Sequence, residues 1–214
     1  MKVTAFTCLV GDTPDELRAP TVVNPAVRYV VLADRDVQVG PYECVRVDDE
    51  QALGGRLLSR QVKILADHPA LGDPDVTLWH DAAFRLDCDP LALAERSLET
   101  SPMLALRHPH RDQIEDEAHA IARHGYVPLD RLLAQAAAYR REGFKQQAIT
   151  STGLCLRRHT EQVRTFNSIW WSEVAAWCWR DQMSVDYSLW KAGLTPTYIE
   201  GHYRRTPFAT FFSA

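Results

Sequence analysis

The chain has 214 residues, a formal charge of −4, 46% hydrophobic and 24% charged residues, the balance of a globular chain long enough to bury a core. That charge gives no support to broad electrostatic binding of nucleic acid, although Arg157-Arg158 and Arg204-Arg205 are locally basic. No apolar run reaches membrane length, no charged-then-apolar leader opens the chain, and Cys8, Cys44, Cys88, Cys155 and Cys178 form no C-x-x-C pair, so free thiols and a cytoplasmic setting are expected.

Residues 3–10, VTAFTCLV, read as a buried first strand, closed by Gly11-Asp12-Thr13-Pro14. A second strand is predicted over Val27–Ala33, ending in the turn Asp34-Arg35-Asp36, and a third around Tyr42–Val47. Over Gln51–Asp67 the apolar residues Leu57, Leu58, Val62, Ile64 and Leu65 recur at helical spacing, with Arg56, Arg60 and Lys63 among them. After the breakers Pro69, Gly72 and Pro74, a strand over Val76–His80 runs into Asp81. Phe84–Cys88 continues extended, and Asp89-Pro90 starts a helix over Leu91–Leu98.

Met103–Leu106 reads as a strand that ends in His108-Pro109-His110-Arg111-Asp112. Helices follow over Ile114–His124 and Leu129–Arg141, then a strand over Thr152–Arg157 with Gly153 inside it. The stretch 166–187, FNSIWWSEVAAWCWRDQMSVDY, holds four of the six tryptophans. It is predicted helical to Trp177 and again from about Asp181 to Ala192, with a strand near Tyr198 closing the chain. Strand–helix alternation of this kind predicts an α/β fold, taken as one domain over residues 1–214 with a mixed, mostly parallel sheet flanked by helices.

A series of short motifs occurs in order: Trp79-x-Asp81, Asp89-Pro90, His108-Pro109-x-Arg111, Gln135-x-x-x-Tyr139-Arg140-x-Glu142-Gly143, Arg157-x-His159, Trp170-Trp171-x-Glu173 and Arg180-Asp181-Gln182-x-Ser184. Over most of the chain the series resembles the glycosyltransferase-like family first met in plant mucilage and pollen-tube proteins. The resemblance implies a GT-A type fold that binds a nucleotide-sugar, a UDP-sugar first of all, at its strand ends. Trp79-His80-Asp81 carries only the second carboxylate of the Asp-x-Asp motif usual in such enzymes.

Sugar transfer builds charge on a leaving diphosphate, which a divalent cation such as Mn²⁺ or Mg²⁺ with hard oxygen ligands neutralises. Asp81, past the end of a buried strand, is the first candidate ligand, and the resemblance implies the late His202 as the second. Arg60 and Lys63, one turn apart, are candidate phosphate contacts. Asp34 is a candidate for the ribose or base, and Gly153 for close approach of the donor. His108 and Arg111, with His110 and His159, are candidate walls for sugar or acceptor. Their spacing is not that of a zinc site, and no Walker loop or nucleophile elbow is present.

By the same resemblance Asp181, expected at a helix N-terminus, is the candidate base, with Glu173 as its rival. A plain helix cap is the structural alternative for Asp181. A metal-dependent hydrolase and a non-catalytic nucleotide-sugar-binding module are the functional alternatives. The acceptor, whether glycan, protein, small molecule or modified nucleic-acid base, is left open by the sequence.

Overall fold

The computed structural model describes residues 1–11, 16–146, 148–199 and 206–212. In chain order the elements are β1 (Val3–Leu9), β2 (Val27–Ala33), β3 (Glu43–Arg46), α1 (Gly55–Leu65), β4 (Val76–His80), β5 (Phe84–Leu86), α2 (Pro90–Ser97) and β6 (Met103–Arg107). They continue with α3 (Ile114–Arg123), α4 (Leu129–Arg141), β7 (Thr150–Arg158), α5 (Glu161–Ala176), α6 (Val185–Lys191), β8 (Thr197–Ile199) and β9 (Ala209–Phe211). Seven strands form one sheet in the order β3-β2-β1-β4-β7-β6-β8, and β5 pairs with β9 in a small second sheet.

The large sheet is parallel except for β7, which runs antiparallel to both β4 and β6. Its central strands are apolar on both faces because both faces are covered. Ala5, Tyr29, Val31 and Leu78 pack with Leu93 of α2, whereas Phe6, Val30 and Trp79 pack with Ile64 of α1 and with Phe166 and Trp170 of α5. A third cluster joins α3, α4 and α6 through Ile114, Leu132, Tyr139 and Tyr187. This is an α/β sheet sandwich of GT-A type.

The helix expected over Gln51–Asp67 is shorter at its start. The Asp49 carboxylate accepts the Leu53 and Gly54 N–H groups at 2.7 and 2.6 Å, holding residues 49–54 in a turn before α1. A Cβ on Gly55 would lie 2.9 Å from Gly11 Cα. That close backbone approach seats the start of α1 against the end of β1.

Asp181–Ala192 is not one helix. Residues Asp181–Met183 form a single 3-10 turn, and α6 begins at Val185. The turn is held from outside: the Trp170 indole N–H donates to Asp181 O at 3.0 Å, and the Ser184 hydroxyl donates to the same carbonyl at 3.3 Å. Three residues of 3-10 helix carry too few aligned peptides for the expected dipole effect on Asp181, and no side-chain cap bond is formed there.

Arg157 on β7 is fully buried. Its guanidinium donates to the carbonyls of Lys63 and Ile64 at 2.5 and 2.7 Å and to Asn167 Oδ1 at 2.8 Å. Asn167 in turn donates to Leu65 O at 3.2 Å. Two of the carbonyls orphaned by the end of α1 are thus satisfied by one side chain from the sheet.

Asp186 at the start of α6 is a second buried group with a structural task. It accepts the Thr150 N–H at 3.0 Å, the Thr150 hydroxyl at 2.5 Å and the Gln146 amide at 3.1 Å. Burial outweighs these bonds and raises its pKa from 3.8 to about 6. A carboxyl raised on folding adds stability that is full below the unfolded value and is lost as pH rises through the folded one. Wild type should therefore lose stability between about pH 4 and pH 6 relative to Asp186→Asn. Urea melts of both proteins across that range check this, and parallel curves would refute it.

All five cysteines are free thiols, and burial raises the pKa of Cys8 and of Cys88 to about 12. Among the described residues no helix is long and apolar enough to cross a membrane.

Candidate active site

Because β7 runs against its neighbours, its first residues meet the carboxyl ends of β4 and β6. The Asp81 N–H donates to Gly153 O at 2.8 Å and the His108 N–H to Ile149 O at 2.7 Å. Asp81, Gly153 and His108-Arg111 therefore share one edge of the sheet, the edge at which parallel strands place ligands. A cavity of about 230 Å³ opens there, lined by Arg60, Lys63, Asp81, His108, Arg111, Thr152, Gly153, Arg180 and Asp181, among others. A hollow of about 500 Å³ beside α2 is larger but has only Asp89 and Arg96 as charged lining. Concentrated charge, rather than size, marks the smaller cavity as the candidate site.

Lys63 is the centre of that charge. Its side chain is only 2% exposed, and its Nζ lies 2.6 Å from Asp181 Oδ2 and 3.6 Å from Asp81 Oδ1. The ammonium also donates to Thr152 Oγ1 at 2.9 Å and sits 5.6 Å from the Trp79 ring centroid. Arg60, one turn earlier on α1, brings Nε to 3.4 Å from Asp181 Oδ1. The Thr152 hydroxyl donates to Asp181 Oδ2 at 3.0 Å. Burial alone would raise the Asp181 pKa, but the charges of Lys63 and Arg60 outweigh it and hold the carboxyl well below the usual range.

Asp81 is more open, with its side chain 39% exposed. The Trp79 indole N–H donates to its Oδ1 at 2.9 Å, fixing the carboxylate. A Cβ on Gly153 would lie 3.3 Å from Asp81 Oδ2 and 2.7 Å from the Phe84 ring. Glycine is required there to keep the space beside the carboxylate. Gly153→Val is expected to displace Phe84, to cost about 1–3 kcal/mol of stability, and to abolish ligand binding at Asp81. Thermal melting together with nucleotide titration reads both effects.

Across the cavity the Arg111 Nε–H donates to the buried Glu117 carboxylate at 2.6 Å, while Nη2 lies 2.9 Å from His108 Nε2. Four basic side chains, Arg60, Lys63, Arg111 and Arg180, thus face three carboxylates, Asp81, Glu117 and Asp181. Two of those carboxylates are buried in ion pairs with the same cations.

Seven of the residues singled out from the sequence meet here: Arg60, Lys63, Asp81, His108, Arg111, Gly153 and Asp181. Asp34 follows β2 on the same sheet edge but does not line the cavity. Its Oδ2 accepts the Gly11 N–H at 2.6 Å, and its Oδ1 pairs with Arg35 at 3.2 Å. Glu173 lies in the seam between α4 and α5, where it accepts the Tyr139 hydroxyl at 2.9 Å, and it is not part of the cavity lining. His159 stands at the opposite end of the sheet, beyond the Val76–Arg158 register pair, because β7 is antiparallel. His202 falls outside the described residues.

Arg180, which the sequence offered as a partner for Glu173 or for phosphate, lines the cavity too, and Thr152, Glu117 and Phe211 join it without having been given a role from sequence. Adjacency to Gly153 and Asp181 was a usable signal for Thr152 and Arg180. Phe211 arrives through the β5–β9 pairing and had no local signal.

A divalent cation needs several hard oxygen ligands. Among the described residues no group of three His, Cys, Asp or Glu side chains is placed to hold one. Asp181 is engaged by Lys63 and Arg60, which leaves Asp81 as the side chain with an accessible oxygen. That set offers a divalent cation one accessible protein carboxylate, Asp81, and leaves its other positions to be filled from outside the described side chains.

The mostly parallel sheet thus carries a charged cavity at its strand ends, where α/β folds place ligands. A family model described as TOD1/MUCI70, glycosyltransferase-like domain, matches residues 24–200. The chain belongs to the TOD1/MUCI70 glycosyltransferase-like family. No curated protein matches it at a significant level.

Proposed function

We propose that the chain is a glycosyltransferase that takes its sugar from a nucleotide-sugar, a UDP-sugar first of all. The observation that carries this reading is the cavity in which an exposed carboxylate, Asp81, faces a preset group of cations around Lys63. The nucleoside lies across the carboxyl ends of β1 and β2, within reach of Asp34, and the diphosphate lies over Arg60, Lys63 and Arg111. Fixed positive charge aimed at a leaving group stabilises the transition state without reorganisation at the moment of reaction. Arginine adds forked contacts to phosphate oxygens. Mn²⁺ or Mg²⁺ anchored by Asp81 would add charge to the same oxygens.

In this reading Asp181 is a positioning residue. Its oxygens are taken up by Lys63, Arg60 and Thr152, and a carboxylate held so far below the working pH is a weak proton acceptor. Its task is to hold the two cations in the cavity wall against their mutual repulsion.

Incubating the protein with UDP-glucose, UDP-galactose and UDP-N-acetylglucosamine in Mn²⁺ tests the proposal. Slow UDP release above a protein-free blank, lost in Asp81→Asn, is the expected result. Failure of every one of these nucleotide-sugars to bind or to react would overturn it.

A further inference from the structure

A second hollow, of about 350 Å³, lies between the first turn of α1, the residues entering α4 and the Trp177–Trp179 segment. Its wall is aromatic. Tyr126 is 43% exposed, and its ring centroid lies 5.5 Å from that of Trp179, which stands at 65° to it. Trp177 lines the same hollow.

Arginines frame these rings. Arg56 Cζ lies 5.0 Å from the Trp179 ring centroid, and Arg180 Cζ lies 5.2 Å from Trp179 and 5.4 Å from Tyr126. Arg131 lines the hollow as well, and no Asp or Glu does. Among the described residues Arg56, Arg131 and Arg180 form no ion pair, although the chain as a whole is acidic at −4. The buried Nε of Arg180 has no hydrogen-bond partner.

The hollow and the strand-end cavity are lined by neighbouring residues of two elements. Arg56 lines the hollow and Arg60, one turn along α1, lines the cavity; Trp179 lines the hollow and Arg180 the cavity. Arg180 lines the cavity and also stands over the Trp179 and Tyr126 rings of the hollow.

We infer that this hollow is the acceptor subsite and that its occupant is an anionic carbohydrate; the inference rests on the transferase reading. A pyranose ring presents flat C–H faces that pack on exposed aromatic rings, and a carboxylate on the sugar gives the guanidinium groups a forked ion pair that no acid among the described residues makes with them. A neutral glycan would use the rings and leave the arginines without an ion pair. A nucleic acid strand would also meet rings and arginines, but its charge sits on backbone phosphates away from the stacking base, whereas a uronate carries its carboxylate on the ring that packs.

The test titrates tetrasaccharides into the intact protein, followed by tryptophan fluorescence and saturation-transfer NMR. Oligogalacturonate, alginate and hyaluronan tetrasaccharides are compared with neutral cellotetraose and chitotetraose and with a single-stranded oligonucleotide. At least one uronate tetrasaccharide is expected to bind at least about tenfold more tightly than the neutral ones, and added salt should weaken it. Trp179→Ala and Arg56→Gln are each expected to weaken that binding about tenfold. Arg56 is exposed, so Arg56→Gln remains informative even if loss of the half-buried Trp179 disturbs the fold.

The inference falls if no uronate tetrasaccharide binds, if neutral sugars or the oligonucleotide bind as well, or if both variants bind like wild type. UDP titrated into the same sample separates the two readings. UDP binding without uronate binding leaves the transferase and removes the subsite. Uronate binding at Trp179 without UDP binding leaves a carbohydrate-binding surface and removes the transferase.

Discussion

Asp181→Asn is expected to lower stability by about 3–5 kcal/mol, because it leaves the ammonium of Lys63 buried beside a neutral amide. That corresponds to a fall in Tm of about 6–20 °C for a chain of this size. Asparagine still offers an oxygen to Thr152 and Lys63, so the loss is one of charge rather than of shape. The Asp181 carboxyl is depressed on folding, so its contribution is present above the unfolded carboxylate range and is lost only as pH falls through its low folded value. The gap between wild type and variant should therefore stay constant from neutral pH to about pH 5 and close below about pH 4.

The same variant separates two roles for Asp181. A positioning role predicts that UDP affinity falls at least about tenfold, since Lys63 and Arg60 lose their anchor. A catalytic base would instead lose about 10²–10⁴ in turnover with UDP affinity and melting unchanged. In the double variant Lys63→Met/Asp181→Leu the fold should recover part of its stability without recovering nucleotide binding, since apolar groups replace the Lys63 pair while Arg60 still loses its carboxylate.

Arg157→Met is expected to have an effect of similar size for a different reason. It strips donors from the carbonyls of Lys63 and Ile64 and from Asn167, and each buried acceptor left unpaired costs about 1–3 kcal/mol. Those carbonyls end α1, so the helix end that carries Lys63 should also loosen. UDP affinity should fall with stability, although Arg157 does not line the cavity. Arg157→Lys should not rescue, because a single ammonium cannot reproduce the fork that reaches the helix end and Asn167 together. Urea melts paired with UDP titrations check both statements; an Arg157→Met protein with wild-type UDP affinity would break the proposed link between helix end and site.

The strands were legible where both faces are buried. β2 and β4 have the bounds expected from their apolar runs, Val27–Ala33 and Val76–His80. α4 runs Leu129–Arg141 as its pattern implied. β9 was not foreseen, since three residues after Pro207 carry no period of their own and are made a strand by Phe84–Leu86 far back in the chain. The break of the last helix at Asp181–Ser184 was hidden for a related reason: besides the local Ser184 bond, the contacts that hold Asp181 come from Trp170, Lys63 and Arg60, distant in the chain.

Much of the candidate site was also legible, because a charged residue just past a buried strand is visible in sequence. Asp81 after β4, and His108 and Arg111 after β6, follow that rule. Pairing was not visible. Lys63 and Asp181 were marked for separate tasks, phosphate contact and proton acceptance, yet they lie 2.6 Å apart. The contact depends on α1 crossing over the start of β7, which no local pattern states. Glu173 lies apart from the cavity lining, which its spacing from Asp181 does not reveal, because α5 ends at Ala176 between the two.

The most direct measurement is calorimetric titration of UDP into wild type, Asp81→Asn and Arg111→Gln, each in Mn²⁺ and in chelator. The account predicts one UDP per chain, an affinity at least about tenfold weaker for Arg111→Gln in both conditions, and a chelator effect present in wild type and absent in Asp81→Asn. Equal UDP affinity in all three proteins, or no UDP binding to wild type, would contradict the assignment of this cavity to a nucleotide-sugar.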